Sequence, residues 1–173
     1  MKDKKGYRDH IEQEYKKTGS WDKTITNAVY EDEYGYSRAF IDLVEHTYKI
    51  KIKDVKHLKE ITGCKEHTDE ELDKLLTEAR YDSYINALTD ALQEGAKYKD
   101  LLKIKPKQYG LPDKWEGTLA TDQMSCIKWV ISLEFYINEP LGYIEFPNLR
   151  DIAREMDAPY SLILECYVMF SHI

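Results

Sequence analysis

Apolar residues recur along this chain mostly three and four positions apart, the spacing of helices that bury one face. Tyr7, Ile11 and Tyr15 mark a first amphipathic helix from about Lys4 to Lys17, stopped at Gly19. Asp22 is placed to cap a second helix through Ile25, Ala28 and Val29. Ser37 is placed to cap a third, with Phe40, Ile41, Val44 and Tyr48 on one face. Tyr48 to Lys53 then alternates strictly, the one clear strand-like hexapeptide, and Gly142 to Phe146 is a second extended piece that can pair with it. Asp54 to Ile61 returns to helix, closed by Gly63 as a left-handed cap.

Thr68-Asp-Glu-Glu71 is a capping box, with Thr68 as N-cap and Glu71 at the third helical position. Leu72, Leu75, Leu76 and Ala79 follow at helical spacing, and the pattern runs on to Gly95 with a break expected near Asp82. Pro106, Gly110, Pro112 and Gly117 make 96–118 mostly loop, with a short turn around Tyr98–Leu102. The next helix, capped by Thr121 or Asp122 and ending near Ile137, is apolar nearly all round and reads as the buried central helix. The fold class predicted is mainly α: a compact single-domain bundle of about six helices with a minor short strand pair. Its core is expected on helix 122–137, helix 68–94 and the terminal helix.

The last elements have the spacing of a helix-turn-helix. Asn148 to Met156 reads as a first helix, Asp157-Ala158-Pro159 as a turn and Tyr160 to His172 as a second. A helix that enters the DNA major groove needs donors for base edges and cations for phosphate. The second helix has no Lys or Arg and carries Glu165. It is therefore expected to be a structural cap on the core, with a homodimer seam as the lesser option.

Composition refines this picture. Hydrophobic residues are 42% and charged residues 33% of 173, enough for a core and a solvated surface. No run of 18 apolar residues exists and the N-terminus lacks a secretory h-region, so no membrane span is expected and the location expected is cytoplasmic. Cys64, Cys126 and Cys166 are widely spaced, as reduced thiols would be. Lys outnumbers Arg by 20 to 5, a bias that fits an AT-rich bacterial or phage genome. The net charge of −7 is uneven: 1–66 is near neutral at +1, whereas 67–173 is acidic at −8.

Candidate chemistry is sparse. Cys64 and His67, with His57 upstream, are one ligand pair where structural zinc needs two. His10 and Glu14 stand one turn apart, as surface pairs commonly do. Cys64 as a nucleophile would need His67 oriented by a third group. Asp113-Lys114-Trp115-Glu116 has the wrong spacing for a metal-dependent nuclease core. No phosphate loop, dinucleotide fingerprint or nucleophile elbow is present, so no cofactor and no catalysis are expected.

Binding remains. Acids interleaved with tyrosine suit a protein partner with a basic surface. Glu31, Asp32, Glu33, Tyr34 and Tyr36 form one such patch. Asp69, Glu70, Glu71 and Asp73 form a second, and Glu139, Tyr143 and Glu145 a third. The function expected is a non-catalytic macromolecule-binding protein. It would act as an acidic inhibitor or adaptor of phage or mobile-element type, docking on the nucleic-acid-binding surface of a host protein such as a defence nuclease, by class-level analogy. The alternative is nucleic-acid binding through Lys49, Lys51 and Lys53 with Lys97, Lys99, Lys103, Lys105 and Lys107. A small metal- or cysteine-dependent enzyme ranks third.

Overall fold

The computed structural model describes residues 4–29, 36–137 and 148–171. The chain is mainly α-helical, with nine α-helices and no strand among the described residues. In order they are α1 (Lys4–Thr18), α2 (Trp21–Thr24), α3 (Tyr36–Tyr48), α4 (Val55–Thr62), α5 (Asp69–Gln93), α6 (Tyr98–Lys103), α7 (Gln123–Ile137), α8 (Leu149–Met156) and α9 (Tyr160–Ser171). A π-helical turn, Ile25–Val29, continues α2, and a 3-10 turn, Pro106–Tyr109, follows α6. The chain divides into two compact units, Met1–Ser83 and Tyr84–Ile173, and α5 runs through the boundary.

In the first unit α1, α2 and α3 pack on one another around Ile11, Trp21, Phe40 and Val44, all buried. Leu72, Leu75 and Leu76 of α5 join the same cluster. Trp21 is its aromatic hub. Its ring stacks on Tyr15 at 3.6 Å, meets Phe40 edge-on at 5.6 Å, and its indole N–H donates to the Tyr48 hydroxyl at 2.9 Å. That bond gives a buried polar group the partner it needs. Ser20 is the N-cap of α2, accepting from the Lys23 amide, so Asp22 does not cap that helix.

The alternation at 48–53 does not make a strand. Tyr48 ends α3, Lys49 turns left-handed at φ 55°, and the Ile50 amide returns to the Glu45 carbonyl at 3.1 Å. The Ile52 amide, which a strand would pair with a neighbour, donates to the Glu45 carboxylate at 2.9 Å. Ile52 is buried all the same, so the apolar side of the pattern is used without a sheet. Its proposed partner, 142–146, lies outside the described residues. Among the described residues the one bridge of sheet type, Lys114 with Asp122, closes a loop elsewhere.

Local signals are obeyed closely. The Glu71 amide donates to Thr68 Oγ1 at 3.1 Å and the Thr68 amide to Glu71 Oε1 at 3.2 Å, the reciprocal bonds of a capping box. Gly63 caps α4 at φ 68°, a conformation that costs glycine little. No break occurs at Asp82; α5 is continuous.

In the second unit α7 packs mainly against α9 and touches α6, while α8 packs against α9. None of the side chains from 122 to 134 is exposed, which makes α7 the central helix expected. Leu162, Ile163 and Cys166 of α9 are buried, and Glu165 of α9 pairs with Lys128 of α7 at 2.9 Å. Asn148 caps the start of α8, accepting from the Asp151 amide, and Asp157 at φ 52° sets the turn between α8 and α9. Arg154 pairs with Asp151, and the Arg150 guanidinium lies 4.7 Å over the Tyr160 ring. The second helix of the pair thus packs on α7, and α8 on α9.

Candidate functional site

Two places in the first unit gather chemistry. The first is an open groove of about 650 Å³ between α4 and the start of α5. Val55, Lys56, Lys59 and Glu60 line it from α4, and Asp69, Glu70 and Asp73 from α5. The α5 side is acidic because carboxylates are favoured in a first turn, where the helix dipole presents unpaired amides. Lys59 reaches across to Asp69 at 2.7 Å and neutralises it. Glu71 is spent on the cap. Glu60, Glu70 and Asp73 remain as exposed carboxylates around the half-buried Val55. With Lys59 held by Asp69, the lining keeps these three carboxylates against one further cation, the exposed Lys56, so it is acidic on balance.

The second is a hydrogen-bonded relay. Asp22 Oδ1 lies 2.9 Å from His67 Nδ1, and His67 Nε2 lies 3.2 Å from Thr26 Oγ1. The other Asp22 oxygen accepts from the amides of Lys65 at 2.9 Å and Glu66 at 3.3 Å. Burial pushes the Asp22 carboxyl up, but hydrogen bonds from His67, the Lys65 amide, Cys64 and the Glu66 amide outweigh it and bring it below its ordinary value. A carboxylate only accepts, so in the neutral ring the proton sits on Nδ1 and Nε2 keeps its lone pair. The cluster was not visible in sequence, because Asp22 lies 45 residues from His67 and its position had an adequate local explanation as a cap.

A carboxyl whose folded value is depressed lends stability above its unfolded value and loses it as pH falls. The latch at Asp22 is thus fully present above about pH 5 and lost progressively below about pH 4. Asp22→Asn is expected to lower the urea midpoint at pH 7, and the difference from the parent chain should shrink at pH 3. An equal difference at both values would show that this carboxylate does not hold the loop.

Other sites named from sequence fare unevenly. Tyr36 is buried, 4.8 Å from the Tyr7 ring and 5.4 Å from His10, so it offers no ring to a partner. Glu31, Asp32, Glu33 and Tyr34 lie outside the described residues, as do Glu139, Tyr143 and Glu145. Lys49, Lys51 and Lys53 are exposed but sit on a helix end and an unpaired segment. Lys97, Lys99, Lys103, Lys105 and Lys107 are exposed in the second unit. Two of these are committed: Lys97 donates to the Glu155 carbonyl at the end of α8, and Lys99 pairs with Asp157 at 3.2 Å.

Burial pushes the Cys64 thiol up to about 12, away from the thiolate that a cysteine nucleophile requires. The same holds for Cys126 and Cys166, each at about 12. His57 accepts from the Lys53 amide at 3.0 Å, beside the cap of α4. Among the described residues no three His, Cys, Asp or Glu side chains converge as metal ligands, and no helix is long and apolar enough to cross a membrane. No protein-family model, curated protein or solved structure matches the chain.

Proposed function

We propose that the protein binds a macromolecular partner by taking a Lys or Arg side chain of that partner into the groove between α4 and α5. The observation that carries this reading is the groove's composition. Glu60, Glu70 and Asp73 line an open depression together with Val55, and they outnumber its remaining cation, Lys56. Long cationic side chains carry an aliphatic stem and a charged head, and this arrangement suits both parts. The inhibitor or adaptor role expected from sequence is one way to use such a surface: a basic nucleic-acid-binding face on a partner would supply the cation. That finer role rests on analogy with small phage proteins that occupy phosphate channels.

A fluorescently labelled Arg- and Lys-rich peptide is the probe. Reversing Glu70 and Asp73 to Lys should weaken its binding by about tenfold, since each exposed pair contributes about 0.2–1 kcal/mol and reversal adds repulsion. Reversing Asp90 and Glu94 instead makes the same change in net charge outside the groove, at exposed positions near the end of α5. That control should change affinity by less than about twofold. Equal losses in both variants would reduce the interaction to net charge and remove the groove as a docking site.

A further inference from the structure

We infer that Thr26, His67 and Asp22 form a nucleophilic site that acts on small carboxylic esters, an activity beyond partner binding. Anchoring the 64–67 loop requires only Asp22, whose second oxygen already holds two amides of that loop. The imidazole does something more. Its Nδ1 faces the carboxylate and its Nε2 faces a hydroxyl, at 2.9 and 3.2 Å. Hydroxyl, imidazole and carboxylate in that order and at those distances are the parts of an activated nucleophile, which is recognised by geometry and not by chain order.

Exposure is graded in the same direction. The side chains of His67 and Asp22 are 5% and 12% exposed, whereas Thr26 is exposed. A buried base and its orienter are thus aimed outward at an accessible oxygen. Thr26 also lies on the π-helical turn Ile25–Val29, a rare element that occurs often at functional sites. Its hydroxyl donates to the Asp22 carbonyl at 3.2 Å and lies 3.2 Å from His67 Nε2, towards which the same O–H can turn. The carbonyl holds the side chain in the rotamer that faces the imidazole.

The reaction balances without a cofactor. Thr26 Oγ1 forms a bond to the ester carbonyl carbon and passes its proton to His67 Nε2. The bond from that carbon to the alcohol oxygen breaks, and the alcohol leaves with the proton from Nε2. Water then attacks the Thr26 ester, giving its proton to Nε2. The bond to Oγ1 breaks, Thr26 regains its proton, and the carboxylic acid departs. Asp22 stabilises the imidazolium in both halves and stays ionised.

The full chain incubated with p-nitrophenyl acetate should release p-nitrophenol and carry one acetyl group on Thr26, located by peptide mass mapping. Thr26→Ala should abolish both signals while Thr26→Ser retains them. His67→Gln should lower the rate by about 10²–10⁴-fold, the usual contribution of a positioned base. Asp22→Asn should slow the reaction and alter its pH profile. Thermal melts of each variant separate loss of chemistry from loss of fold. Acetyl groups confined to lysines, or a Thr26→Ala rate equal to that of the parent, would overturn the assignment, as would no reaction above buffer.

Discussion

Ile163→Asp is expected to unfold the 84–173 unit. Ile163 has no exposed surface and sits on the face of α9 that packs against α7. Removing its side chain alone would cost about 2–5 kcal/mol. An unpaired carboxylate at the same place adds several kcal/mol more unless it takes up a proton. The single cation in the α7 sequence, Lys128, is already held by Glu165. Typical domains have about 5–15 kcal/mol in all, so little would remain. Near-ultraviolet circular dichroism and proton–nitrogen correlation spectra should show loss of packing in this unit. Ile163→Val should fold and cost about 0.5–1.5 kcal/mol by urea titration. A folded Asp variant with unchanged spectra would mean that α9 is not packed on α7 by this face.

Trp21→Ala is expected to have the comparable effect in the first unit, about 3–5 kcal/mol. The ring is 4% exposed, stacks on Tyr15 and meets Phe40, so its loss opens a void bordered by three helices. The indole N–H gives the Tyr48 hydroxyl its partner, and Tyr48 closes α3. Trp21→Phe keeps most of the ring area and removes that bond, which is worth about 0.5–1.5 kcal/mol. The two variants therefore divide packing from hydrogen bonding. Equal costs by urea titration would place the whole contribution in the hydrogen bond, against the stacked geometry.

What the sequence made legible was local. The capping box at Thr68 and Glu71, the left-handed cap at Gly63 and the limits of α8 and α9 all depend on residues within a few positions of one another. The periodicity of α7 reported its burial because a helix covered on every side needs no polar face. Tyr48 to Lys53 misled for a specific reason. Alternation reports which side chains are buried, and Ile52 is, but it cannot report that Glu45 takes up the amide a strand would have shared. Asp22 misled in a similar way: its partners at 64–67 are distant in sequence, while the role of N-cap was near at hand and is filled by Ser20.

The acidic run at 69–73 shows how far composition reaches. Its first-turn position was legible, yet its four carboxylates differ in what they can offer. Glu71 closes the cap and Asp69 is held by Lys59, which leaves Glu70 and Asp73 for a partner. Glu60, which no sequence pattern joined to this group, comes to it across the groove.

The most direct measurement is a nuclear magnetic resonance titration of the nitrogen-labelled full chain with the Arg- and Lys-rich peptide at near-physiological salt. The amides of Val55, Glu60, Glu70 and Asp73 are expected to shift together and saturate with one dissociation constant. Shifts spread evenly over the exposed acids of both units, with no saturation at the groove, would contradict it.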